Sequence, residues 1–119
     1  MALLETYAPD NLIADNNQPI HKGTGTIASG EGKLKRGSVL TKNSNGKYVI
    51  TASTLRVGGY LPEAVLAEDT DATSADAVAD IYTSGDMKKS ALIVAEHHTL
   101  DDADISDLKR NGIYVKAGL

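Results

Sequence analysis

The chain has 119 residues, which predicts a single domain large enough to bury a core of its own. It contains no Cys, Trp or Phe, so disulfides and thiolate chemistry are excluded and the core must be largely aliphatic. The net charge of −4 combines +3 over residues 1–60 with −7 over residues 61–119, and this balance argues against general nucleic-acid binding.

The first 22 residues differ in composition from the rest of the chain. Asn, Asp, Gln and Pro interrupt any helical or strand pattern there, and only small apolar islands remain. We interpret residues 1–22 as a flexible N-terminal arm, either a frayed terminus or a segment that orders against a partner, followed by a β-rich domain over residues 23–119. The candidate contact residues in the arm are its larger apolar side chains, which are Leu3, Leu4, Tyr7, Leu12 and Ile13.

A β-hairpin is the clearest element that follows. Residues 38–42 form the first predicted strand, residues 43–46 (Asn-Ser-Asn-Gly) form the turn, and residues 47–51 return. The Asn-Gly pair supports this prediction because such pairs adopt the positive φ angles of tight hairpin turns. The Gly- and Thr-rich stretch before the hairpin predicts a loop with one short strand near residues 26–28.

A second strand–turn–strand unit is predicted further along the chain. Pro62 suits the first position of a strand, because its missing N–H donor costs least there. A buried strand is expected over residues 64–67, an acidic turn over 68–76 and a strand over 77–83. Gly85-Asp86 predicts a turn, and the apolar run over residues 90–95 predicts a further, central strand.

The only convincing helix in the sequence covers about residues 102–110. Asp101 can cap its N-terminus, Asp104 lies near the positive end of the helix dipole, and Asn111-Gly112 is a good stop signal. Residues 113–116 then predict a last strand. The expected fold is therefore mainly β with one short helix, in a compact single domain.

Several patterns resemble metal-binding or catalytic sites but lack the residue types or the spacing that those sites require. Asp69, Asp71, Thr73 and Asp80 resemble a calcium loop, but Ser74 stands where that loop needs Gly. His97 and His98 are adjacent, so on an extended chain they point to opposite sides. No catalytic triad or elbow and no complete nucleotide fingerprint is present. We expect no metal, no cofactor and no enzymatic activity, and no stretch approaches the roughly 20 apolar residues of a membrane span.

Five segments together resemble the lambda-type bacteriophage head decoration proteins, the head protein D family. The segments follow the family's order and spacing across residues 23–116. They are LKRGSVL at 34–40, GKYV at 46–49, AVLAEDTDAT at 64–73, VADIYTSG at 78–85 and LKRNGIYV at 108–115.

The resemblance implies a β-clip fold and a structural role. It implies a homotrimer that binds the major capsid protein on the outside of the expanded phage head and reinforces the shell, with the arm ordering on it. The implied location is the exterior of the virion, after synthesis in the bacterial host cytoplasm, with no direct nucleic-acid or membrane partner. The alternative is a small β-clip module that binds carbohydrate or cell-wall material, which a concave pocket with several polar groups would favour.

Overall fold

A closed ring of five hydrogen-bonded strands forms the centre of the computed structural model, which describes residues 12–15, 20–52, 55, 58–95 and 98–116. The strands are β1 (Ile13–Asp15), β2 (His21–Ile27), β3 (Gly32–Leu34), β4 (Val39–Lys42), β5 (Tyr48–Ile50), β6 (Pro62–Leu66), β7 (Thr70–Ala72), β8 (Ala77–Lys88) and β9 (Ile113–Lys116). The α-helix α1 (Asp102–Arg110) precedes β9.

Strands β2, β5, β4, β6 and β8 form the ring in that order, and β8 closes it by pairing with both β6 and β2. The β2–β5 pair is parallel and the other four pairs are antiparallel. Because side chains alternate along each strand, one face of every ring strand points inward. The inner cluster draws on all five strands and on the separate β3–β7 ribbon, and includes Ile27, Leu40, Tyr48, Leu66 and Ile81.

A second apolar cluster covers the outside of the ring. Val39, Val65 and Tyr82 alternate with inward-facing residues and pack outward against Leu108 of α1 and Ile113 of β9. All five are buried, which places α1 and β9 firmly on this face. The mainly β fold with a short helix, in a compact single domain, is therefore confirmed, and its two-sided strands are compatible with the β-clip description.

The turn predicted at Gly85-Asp86 is wrong, because β8 continues through both residues to Lys88. Gly85 has a φ of 137° and marks the point where β8 leaves the ring. Residues 77–84 pair with β2, whereas residues 85–88 lie between β1 and β9. A glycine that indicates a turn in isolation is here the point at which one strand changes partners.

The central strand predicted over residues 90–95 is also wrong. Lys89–Ala91 form a 3₁₀ turn, and only a single parallel bridge joins Ser38 to Ile93. The apolar run instead crosses the outer cluster, where Ala91, Leu92 and Val94 pack. Its continuous apolar character reflects this packing rather than a place inside the sheet.

One further strand is longer than the sequence indicates, and another was not predicted at all. The short strand expected near residues 26–28 is β2, which begins at His21 and pairs with β8 along its whole length. The acidic turn expected over residues 68–76 contains β7, which pairs with β3. Gly and Asp are depleted in strands, so these pairings follow from tertiary contacts that local propensity does not reveal.

The hairpin, the helix and the last strand are confirmed. In the hairpin, Gly46 has a φ of 77° and donates its N–H to the Asn43 carbonyl at 3.0 Å. In the helix, the Asp101 carboxylate accepts the Asp104 N–H at 2.9 Å, and the Asp104 side chain accepts the Asp101 N–H at 3.4 Å, which completes a capping box. Pro62 opens β6 as expected.

Gly25→Ala should destabilise the inner cluster, because a Cβ at this position would lie 2.5 Å from the Tyr48 ring. That ring is buried, and we expect a loss of about 1–3 kcal/mol of unfolding free energy from overpacking. Gly23→Ala on the same strand is the matched control, since its nearest neighbour, Thr83 Cγ2, is 3.8 Å away. Equal urea midpoints for the two variants would contradict this account of β2.

Candidate functional site

The N-terminal segment, residues 1–11 of the arm, is followed by the first described residue, Leu12. Its side chain is fully buried in the outer cluster, and its carbonyl accepts the Lys88 N–H at 2.8 Å. Strand β1 then pairs antiparallel with the end of β8, with Ile13 opposite Met87. The chain therefore enters the fold as a short edge strand fixed by one apolar side chain.

The five candidate contact residues of the arm fall into two groups. Leu12 and Ile13 belong to the body at β1, with Leu12 buried in the outer cluster and Ile13 half-buried against it. Leu3, Leu4 and Tyr7 lie outside the described residues. The structure thus brings two of the five together, at the start of its described residues.

Gly37 lies next to Leu12 and bonds to the segments around Leu66 and Ile93, and we call this meeting point the Gly37 junction. This role was not predicted from the sequence. The Gly37 N–H donates to the Leu66 carbonyl at 2.9 Å, and the Gly37 carbonyl accepts the Ile93 N–H at 3.0 Å. A Cβ on Gly37 would lie 2.6 Å from the Ala91 carbonyl oxygen and 3.7 Å from Leu12 Cδ1. The available signal was the glycine within LKRGSVL, whose φ of 99° few other residues adopt.

Apolar and basic residues lie near β1 and the Gly37 junction. Ile93 keeps 37% of its surface exposed, although its N–H bonds to the carbonyl of the buried Gly37. Lys88 and Lys89 lie next to the β1–β8 pair, and Lys89 is exposed.

Arg36 connects the β3–β7 ribbon to the outer cluster. Its Nη1 donates to the Tyr82 hydroxyl at 2.7 Å and to the Ala67 carbonyl at 3.0 Å. The Arg36 side chain is half-buried, whereas Lys33 and Lys35 are exposed. Arg36 therefore holds the start of LKRGSVL against β8.

Arg36→Lys should lower the free energy of unfolding by about 1–2 kcal/mol, because an ammonium group cannot reproduce the two-acceptor geometry of the guanidinium. Lys35→Ala is the control, since the exposed Lys35 side chain should contribute less than about 0.5 kcal/mol. Chemical denaturation of both variants measures the difference. A loss for Lys35→Ala as large as that for Arg36→Lys would contradict the role given to the guanidinium.

The acidic residues considered as calcium ligands make hydrogen bonds or an ion pair within the chain. Asp69 accepts the Arg36 N–H at 2.8 Å, and Asp71 accepts the N–H and hydroxyl of Thr73 at 3.0 and 2.6 Å. The Thr73 hydroxyl bond, reinforced by its N–H, lowers the pKa of Asp71. Asp80 lies 3.7 Å from the Lys22 ammonium. Within the described ranges, no three His, Cys, Asp or Glu side chains are placed to hold a metal ion.

A groove of about 380 Å³ lies between the hairpin, β6 and the end of α1. The exposed Tyr60 ring forms part of its wall. Its charged groups pair across short distances: Lys42 is 3.9 Å from Glu63, and Arg110 is 3.5 Å from Asp107. The groove is therefore concave and polar, but its charges largely neutralise one another.

A family model described as bacteriophage lambda head decoration protein D matches residues 4–113 of the chain. The chain belongs to this family. A search of the curated proteins finds no match. The matched range begins within the N-terminal segment and includes the Gly37 junction, Arg36 and the whole ring.

Membership of the head decoration family gives the surface around the N-terminal segment its context. Proteins of this family are structural components of phage heads, so association with a capsid is the function that the match supports. Across the described residues, no helix combines the length and apolar character required to cross a bilayer.

Proposed function

We propose that this protein is a non-enzymatic decoration protein that binds as a trimer to the outside of the expanded phage head and stabilises the shell against internal pressure. The observation that carries the proposal is the family match across residues 4–113. The same role places the protein on the exterior of the virion, after synthesis in the host cytoplasm, with the major capsid protein as its partner.

We propose that residues 1–11 make the main contact with the shell, with Leu3, Leu4 and Tyr7 as its apolar anchors. Support comes from the burial of Leu12 and the pairing of β1 with β8, which fix to the body the residues that directly follow this segment. Burial of a few large apolar side chains usually dominates an interface. Ile13, half-buried at the edge, extends this contact, whereas Leu12 holds the segment to the body.

The proposed trimer would cover apolar surface that the single chain leaves open. Val78 on β8 is 73% exposed, and Tyr60 is 38% exposed. Cyclic oligomers bury such side chains at repeated contacts between copies. Light scattering coupled to size-exclusion tests this part of the proposal, and a concentration-independent monomer both free and on heads would contradict it.

The Tyr60 groove is the feature that favours the alternative, a module that binds carbohydrate or cell-wall material. It has the concave shape and polar walls of a ligand site. Its cations and carboxylates are paired within the chain, which reduces the number of groups free to bind a sugar. The family match favours capsid decoration over this alternative.

Binding to undecorated heads tests the proposal. Purified protein is mixed with expanded heads that lack decoration protein, and the heads are then sedimented. Decoration predicts saturable recovery with the heads and greater resistance of those heads to heat or chelation. A carbohydrate module would instead show chemical-shift changes at Tyr60 with oligosaccharides and no recovery with heads.

A further inference from the structure

We propose that Asn45 is a site of spontaneous deamidation and that it reacts faster than Asn111, the Asn of the only other Asn-Gly step in the sequence. Asn is among the thermolabile residues of proteins, and a following Gly leaves its backbone nitrogen sterically open. The two steps share this sequence but differ in structure. This chemistry is independent of what the protein binds.

The reaction requires only water. The Gly46 backbone nitrogen attacks the Asn45 side-chain carbonyl carbon, Cγ; the new N–Cγ bond forms, the Cγ–Nδ2 bond breaks, and ammonia leaves with the proton from Gly46. Water then opens the resulting five-membered imide at either carbonyl. One opening gives Asp, and the other gives isoaspartate, in which the main chain runs through the former side chain.

The Asn45 side chain is free to reach the attacking position. Asn45 and Gly46 are both exposed at the tip of the hairpin. In the described part of the chain, the Asn45 side chain has no hydrogen-bond partner; only its backbone N–H is held, by Asn43 Oδ1 at 2.9 Å. A Cβ added to Gly46 would meet nothing within 4 Å, so the space beside the Gly46 Cα is open.

The Asn111 side chain is held away from its glycine. Its Nδ2 donates to the Asp107 carbonyl at 3.0 Å, which directs the amide back along α1. Gly112 is also crowded, because a Cβ there would lie 3.3 Å from Ser84 Cβ. Both glycine N–H groups are hydrogen-bonded at 3.0 Å, Gly46 to Asn43 and Gly112 to Lys109, so this bond does not distinguish the two sites.

Deamidation at Asn45 would change the turn that joins β4 to β5. The isoaspartate product lengthens the main chain by one methylene between the backbone nitrogens of residues 45 and 46. The N–H groups on both nitrogens bond to Asn43. The Asp product keeps the chain length and adds a negative charge. Isoaspartate should therefore loosen the hairpin, whereas Asp should leave it intact.

The test is incubation of the full-length protein at neutral and mildly alkaline pH, followed by peptide mapping with mass spectrometry. We expect Asn45 to convert about tenfold faster than Asn111, which corresponds to a modest difference in activation free energy. Asn45→Gln should abolish this conversion, because the longer side chain forms the imide far more slowly. A synthetic peptide of residues 42–49 gives the rate of the unfolded sequence.

Either of two results would overturn the proposal. Conversion at Asn111 that equals or exceeds that at Asn45 would show that the side-chain bond to Asp107 does not protect it. An intact Asn45 in the folded protein, under conditions that convert the peptide, would show that the hairpin prevents the attack. Asn45→Asp separates added charge from main-chain lengthening when thermal melts of the variant and of the aged protein are compared.

Discussion

Leu12→Ala should lower the free energy of unfolding by about 2–5 kcal/mol, the cost of removing a fully buried Leu from a packed core. The side chain lies among the residues of the outer cluster, close to Gly37 and beside the β1–β8 pair. Its loss leaves a cavity where the N-terminal segment meets the body. Urea or thermal unfolding of the variant measures the change.

Deletion of residues 1–11 is the matched comparison for Leu12→Ala. This truncation keeps Leu12 and β1, so the unfolding midpoint should remain near that of the full chain. Deletion of residues 1–15 removes Leu12 and β1 as well and should reproduce the loss seen in Leu12→Ala. A Leu12→Ala variant as stable as the full chain would contradict the anchoring role given to Leu12.

Gly37→Ala should cost about 3 kcal/mol or more, among the largest effects of any single substitution in the body. Ala at a φ of 99° is strained, and its Cβ would lie 2.6 Å from the Ala91 carbonyl oxygen. That oxygen belongs to backbone held by the Ser38–Ile93 bridge, so it cannot move aside easily. The variant should melt at a much lower temperature or fail to accumulate as folded protein.

Gly46→Ala separates conformational strain from steric overlap. Gly46 also has a positive φ, at 77°, but a Cβ there would meet nothing within 4 Å. Its substitution should cost about 1–2 kcal/mol, the strain of a left-handed Ala alone. Equal losses for the two variants would show that the Ala91 contact does not constrain the junction.

The elements that the sequence predicts well carry local signals. The capping box of Asp101 and Asp104, the Asn-Gly turn and the opening Pro62 each specify structure through their own backbone geometry. The failures involve residues whose structure depends on distant partners. Gly85 indicates a turn in the sequence, but pairing with β1 and β9 extends β8 through it. The apolar run at 90–95 indicates a strand, but its apolar side chains pack on the outer cluster instead.

The candidate site shows the same division. Apolar islands in a polar N-terminal stretch predicted a segment that contacts a partner, and this part stays a prediction for Leu3, Leu4 and Tyr7. The sequence could not indicate that Leu12 is buried in the body, because that burial requires the Gly37 junction and the end of β8. Arg36 was missed for a similar reason: its two acceptors, on Ala67 and Tyr82, are more than 30 residues away.

Sedimentation with undecorated, expanded phage heads tests the central claim most directly. The full chain and the chain lacking residues 1–11 are compared over a range of concentrations, with unfolding curves to confirm that both are folded. Capsid decoration through the N-terminal segment predicts saturable binding of the full chain and sharply weaker binding of the truncated chain. A folded full-length protein that stays in the supernatant at every concentration would contradict the account.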